Sequence, residues 1–195
     1  MPRKLTGNFT LFLKSLPMTN DDFVKIFYSN FSPSIDWANI DEITWMYQEG
    51  LFTISSKVIA SDDEFLKRVD FVLDPKNGLT RNGESDAHLA LKSFASDYLI
   101  KYCDVLEEQV RLEYPLIGFE VDVIDKDLSY PTECGDTNAL KLEKYLGLPT
   151  TKKMLILPYP HSTDVKVFEF IANPSFFEYI KHKQKFLNQK NAKLR

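Results

Sequence analysis

From residue 84 the chain changes its period, from the 3.6 residues of a helix to the 2 of a strand. No other feature limits the fold as much. Glu84–Tyr102 reads as a helix, with Ala87, Leu91, Phe94, Tyr98 and Leu99 near one face. Val105–Leu116 then sets Val110, Leu112 and Tyr114 against Gln109, Arg111 and Glu113, the alternation of a strand. Phe119–Asp125 alternates again, with Phe119, Val121 and Val123 against Glu120, Asp122 and Ile124. Lys126–Ser129 is a hairpin turn, and Tyr130–Cys134 is a short third strand. Thr137 or Asn138 caps a helix that runs through Leu146 and stops at Gly147. Met154–Leu157 reads as a buried strand, Val165–Ile171 as strand or helix, and Pro174 opens a last amphipathic helix with Phe176, Phe177, Ile180 and Phe186. This order predicts an α/β layer, in which an antiparallel meander leads into a crossover.

Residues 1–80 read as a mixed, mostly helical region. Thr19 or Asn20 caps a helix carrying Phe23, Ile26 and Phe27, Asp41–Tyr47 is a short helix, and Leu51–Ile59 alternates in part like a strand. Asp62–Lys67 is a further short helix. The turn cluster Asp74-Pro-Lys-Asn-Gly is the expected boundary. It divides an N-terminal, mostly helical extension (1–80) from a second domain (81–195).

Composition removes several functions. Two cysteines, Cys103 and Cys134, make neither a disulfide framework nor a four-cysteine zinc site, and His88, His161 and His182 are too scattered for a metal-binding pair. Seven glycines leave no room for a Gly-rich phosphate loop. No apolar run reaches the ~18–20 residues of a membrane span, so the expectation is a cytoplasmic protein with no membrane association. A net charge of −4 argues against a protein that coats nucleic acid electrostatically, but not against an acidic, metal-using enzyme acting on it. From Pro174 onward, five Lys and one Arg face a single acid, Glu178, so this end is suited to phosphates.

Two acids stand in unusual places. Asp122 lies between two valines inside a strand, and Glu133 ends the next strand. Acids on adjacent strands of one hairpin can lie side by side, a costly arrangement unless they share a proton or a cation. Oxygen ligands of this kind suit Mg²⁺. On the preceding helix Glu84, His88 and Lys92 follow at i, i+4 and i+8, along one side. Solvent-exposed cross-strand acids and a solvated helix face account for the same residues. Cys134 has no adjacent histidine in sequence to activate it as a nucleophile.

The order Glu84-Ser-Asp-Ala-His-Leu-Ala-Leu-Lys, Glu113, Val121-Asp122-Val, Glu133-Cys-Gly and a helix with Lys141 resembles the PD-(D/E)XK nuclease superfamily over residues 83–160. The opening Glu-Ser-x-x-His-x-x-x-Lys is also similar to the nuclease-like domain of the bacterial competence family. The resemblance implies a restriction-endonuclease-like mixed sheet flanked by helices. It implies Asp122 and Glu133 as metal ligands, Glu84 as the helical acid completing the site, Mg²⁺ or Mn²⁺ as cofactor, DNA as substrate, and room for a homodimer that cuts both strands. One position departs from the pattern: the family's lysine falls at 135, and Gly135 stands there. Lys141, with Lys92 as second candidate, is expected to bring an ammonium back to the acids, and Gly135→Lys to restore activity where Lys141 is lost. The alternatives are a non-catalytic DNA-binding or assembly protein that keeps the fold, and a structural protein in which the acid pair is incidental.

Overall fold

A computed structural model describes Phe23, Ile26, Phe27 and residues 37–60, 85–160 and 164–192. The helices expected over 20–27 and 62–67, the turn at 74–78, Glu84 and His161 lie outside the described residues, apart from those three apolar side chains. Among the described residues are four helices and a six-stranded mixed sheet: α1 (Trp37–Gln48), β1 (Phe52–Ala60), α2 (Asp86–Tyr102), β2 (Val110–Leu116), β3 (Phe119–Asp125), β4 (Thr132–Cys134), α3 (Ala139–Leu146), β5 (Met154–Leu157), β6 (Asp164–Ala172) and α4 (Pro174–Ala192). The strand order is β1-β6-β5-β4-β3-β2, and only β4 and β5 run parallel.

The α2 helix starts where Ser85 accepts the His88 N–H (3.2 Å) and stops as the Cys103 N–H turns back to the Leu99 carbonyl (3.1 Å). After a 3₁₀ turn at Glu107–Gln109, which shortens the expected strand to Val110–Leu116, the chain enters a hairpin. Its tip, Ile117-Gly118, has φ of 47° and 81°, and positive φ at both central residues is the type I′ geometry that suits strand twist. β4, α3 and β5 form a strand–helix–strand crossover between parallel neighbours. β5 is therefore central and covered on both faces, which explains its unbroken Met-Leu-Ile-Leu run. The ambiguous segment near 165 is strand β6, which pairs antiparallel with β5 and β1.

Two apolar cores flank the sheet. One, under α1, α3 and the start of α4, includes Phe27, Ile43, Phe52, Leu142, Ile156 and Phe176; the other, under α2, includes Leu91, Phe94, Tyr98, Val123, Leu155 and Val167. β1 and α1 precede the boundary expected near residue 80, yet β1 pairs with β6 from Phe52 opposite Ala172 to Ala60 opposite Asp164. The N-terminal region thus supplies an edge strand and a covering helix to the same sheet. In α4 the expected stripe buries only Phe176 fully; Phe186 is 67% exposed. Lys183 is turned inward to Glu42 and Glu143 (2.7 Å each), which leaves Lys181, Lys185 and Lys190 as the exposed lysines of the helix.

Candidate active site: an acid pair between two helices

Val123 pairs with Thr132 across the β3–β4 ladder, which brings Asp122 and Glu133 next to each other one step along. Strict alternation would bury Val121 with Val123. Instead Val121 packs in the core of α1 and α3, and Val123 in the core of α2. The break falls at Asp122. Opposite it on β2, Glu113 sits at φ 49°, a left-handed conformation that costs a non-glycine residue about 1–2 kcal/mol. Strain of this kind persists where neighbouring contacts hold it, and Glu113 is held by Lys92 Nζ at 2.6 Å.

The irregular strand aims Asp122 at three donors. Its Oδ2 accepts the Cys134 N–H (2.7 Å), while Oδ1 lies 3.5 Å from His88 Nε2 and 3.9 Å from Lys92 Nζ, both from α2. Burial pushes the Asp122 carboxyl up, but His88, the Cys134 N–H and Lys92 outweigh it and hold it below the usual carboxylate range. Lys92 itself is 1% exposed, so its charge is spent on Glu113 and Asp122 rather than on solvent.

Glu133 has the opposite balance. It is 2% exposed, and burial, followed by the charge of Asp122, pushes its carboxyl up to about 8 even though Lys141 opposes this. Lys141 Nζ reaches Oε2 at 2.6 Å and also donates to the Glu120 carbonyl at 2.8 Å. This contact follows from α3 geometry. Asn138 caps the helix, and Leu142, Tyr145 and Leu146 bury one face, so Lys141 emerges beside that face at the rim of β4. The other oxygen, Oε1, is buried, and the Glu133 carboxyl's further partner is the nearby Tyr145 hydroxyl, which favours its ionised form. Burial and the two carboxylates push that phenol upward.

Of the residues expected from sequence, Asp122, Glu133 and Lys141 come together, and Lys92 joins from the second-choice position. Glu84 lies outside the described residues. Among the described residues no group of three or more His, Cys, Asp and Glu side chains has metal-binding geometry. Asp122 and Glu133 are the carboxylates of this pair that would offer oxygens to a cation. Carboxylate oxygens of this kind are the donors a hard divalent cation takes.

Two members of the site were not anticipated. Tyr145 reads in sequence as one more apolar-stripe residue, although its i+4 spacing from Lys141 places both on one side of the helix. Tyr159, in a Pro-Tyr-Pro segment after β5, carries no sequence signal. Its hydroxyl lies 3.3 Å from His88 Nδ1. It also bears on the expectation for position 135. Gly135 has φ 75°, and a Cβ there would lie 2.5 Å from the Tyr159 ring. A lysine at 135 would have to displace the Tyr159 ring and hold a left-handed backbone, so Gly135→Lys carries a structural cost alongside any ammonium it restores.

The Glu133 carboxyl makes stability depend on pH in a defined window. Its folded value, about 8, exceeds the ordinary 4.5, so the folded state keeps a proton that the unfolded chain releases. Stability falls as pH rises from about 4.5 to about 8, then levels off. Asp122, depressed instead, acts only in more acidic solution. Thermal unfolding of Glu133→Gln followed across pH 5–9 should show this decline flattened, with the variant gaining on the parent at the alkaline end. Parallel pH profiles would show that Glu133 is not the group responsible.

No helix among the described residues is long and apolar enough to cross a membrane. Compared with known proteins, the chain matches no family model, no curated protein and no solved structure.

Proposed function

We propose that this chain is a metal-dependent DNA nuclease with a restriction-endonuclease-like core, hydrolysing phosphodiester bonds at the Asp122–Glu133 pair. One observation carries the reading: the ammonium missing at position 135 arrives from α3, with Lys141 Nζ 2.6 Å from Glu133 Oε2. In this reading Asp122 and Glu133 would hold Mg²⁺ or Mn²⁺, with Glu84 as the third acid that the resemblance implies. The ion would supply positive charge to the scissile phosphate and make a nearby water a better nucleophile. Lys141 orients that water and offsets the negative charge that builds on the phosphate oxygens as the water oxygen bonds to phosphorus and the sugar oxygen leaves. His88 and the Cys134 N–H keep the Asp122 carboxylate ionised and fixed. The exposed Lys181, Lys185 and Lys190 add phosphate contacts without sequence preference.

A specific feature also favours the alternative, a non-catalytic DNA-binding protein that keeps the nuclease fold. Each acid already faces a cation of the chain, Asp122 facing Lys92 and Glu133 facing Lys141, and Glu133 keeps its proton to about pH 8, so the cluster limits its own charge without a metal. Plasmid cleavage with and without Mg²⁺ separates the two readings, and gel retardation without cleavage favours the second. Within the nuclease reading, Lys141→Ala is expected to lower kcat by roughly 10²–10³-fold. Mg²⁺ binding should not weaken, because the substitution removes a competing ammonium and no ligand. Cleavage at the parental rate would sink the role of Lys141.

A further inference from the structure

We infer that Tyr159 is a positioning residue of this site, acting on Asp122 through His88 and standing in the space from which a residue-135 side chain would otherwise work. This inference rests on the reading of Asp122 as a functional carboxylate and adds the means by which that group is oriented.

Three observations carry it. The first is an unbroken line of polar atoms: Tyr159 OH lies 3.3 Å from His88 Nδ1, and His88 Nε2 lies 3.5 Å from Asp122 Oδ1. The hydroxyl also meets the Ser85 side chain, in the sense that favours the phenolate, as a Ser85 O–H donating to the phenol oxygen would. The phenol's own O–H is then left for Nδ1, which places the ring proton on Nε2, and that N–H points at the carboxylate. A histidine's tautomer is set by the hydrogen bond its other nitrogen makes. The second is the carboxylate's far side. Oδ2 is already fixed by the Cys134 N–H at 2.7 Å, so a second donor on Oδ1 leaves Asp122 no free rotation.

The third is steric. A Cβ built on Gly135 would lie 2.5 Å from Tyr159 Cε2 and Cζ and 2.8 Å from its hydroxyl oxygen. The phenol's polar end therefore occupies the room a side chain at 135 would enter. Glycine at this position, with φ 75°, serves two needs: the left-handed turn after β4 and the approach of the tyrosine.

The test uses the full chain and two readouts. In ¹⁵N-labelled protein without metal, the His88 ring should show Nε2 protonated and Nδ1 as acceptor. Tyr159→Phe keeps the ring over Gly135 and removes only the hydroxyl, so folding is preserved while the ring signals shift to a mixture of tautomers. Mn²⁺ affinity, or kcat for DNA cleavage at unchanged KM, should fall by roughly 10–100-fold, the usual effect of losing an outer partner of a ligand. Gly135→Ala, which pushes the phenol away from His88, should shift the same ring signals. An unchanged His88 tautomer in Tyr159→Phe overturns the inference. So does a shifted tautomer with parental Mn²⁺ affinity and kcat. If the parent protein neither binds Mn²⁺ nor cleaves DNA, the nuclease reading falls, while the ring spectrum still decides whether Tyr159 orients His88.

Discussion

Asp122→Asn is expected to reduce Mg²⁺-dependent DNA cleavage to background while leaving the molecule folded. Asparagine is the informative replacement because Asp122 has two jobs. Its Oδ2 accepts the Cys134 N–H at 2.7 Å, and alanine would leave that donor unsatisfied in a buried setting, at a cost of about 1–3 kcal/mol. The amide of asparagine keeps an acceptor for it, removes the charge, and puts an NH2 donor where Oδ1 faces His88 Nε2 and Lys92 Nζ. Lys92, the cation most exposed to that loss, keeps its shorter contact with Glu113 at 2.6 Å. Glu133 gains, because the second-largest influence raising its carboxyl, after burial, is the charge of Asp122. Asp122 is held ionised in the folded state, so losing its charge lowers stability at neutral pH. The variant should melt earlier but still cooperatively, and loss of cleavage in the folded protein would be read as loss of a ligand. Cleavage at the parental rate would place the activity away from this pair, and a collapsed melting transition would show that the charge is structural.

A second large effect is expected far from the acid pair. Glu169 on β6 is 6% exposed and gathers four donors: Tyr98 hydroxyl at 2.7 Å, Lys57 and Lys153 at 3.1 Å each, and Ser55 at 3.3 Å. Burial pushes its carboxyl up, but Tyr98, Lys153 and Lys57 prevail and bring it down to about 2. A fall from 4.5 to about 2 corresponds to roughly 3 kcal/mol of stability at neutral pH. Solvent reaches both lysines and trims this to about 2 kcal/mol. Glu169→Gln should thus lower Tm by several degrees at pH 7. The sign is that of a depressed acid: the contribution is complete above about pH 4.5 and disappears toward pH 2, where parent and variant should melt together. A difference in Tm that persists undiminished at pH 2 would assign the effect to packing instead of charge.

Local order was legible from residue pattern because helix and strand periods are written in consecutive side chains. The helix ending at Tyr102, the hairpin of β2 and β3, the cap at Asn138 and the apolar run of β5 all appear where the pattern puts them. So did the candidacy of Asp122 and Glu133, since an acid between valines and an acid at the next strand's end are anomalies in any alternating pattern. Sequence did not determine which strands pair. Nothing in Phe52–Ala60 says that it joins β6 across more than a hundred residues, or that β4 and β5 run parallel, because pairing depends on contacts that local propensity does not encode. The site was decided at the same level. Lys141 meets Glu133 because burying Leu142 and Tyr145 fixes the rotation of α3, and that rotation sets where a lysine stem can reach. His88 and Lys92 meet Asp122 because the strand alternation breaks opposite Glu113, and Tyr159 enters because Gly135 has no side chain to exclude it. The residue types and their spacing thus named the acids. Only the packing of α2 and α3 against an irregular pair of strands chose their partners, because a side chain's reach is a few ångströms and its direction is set by the whole fold.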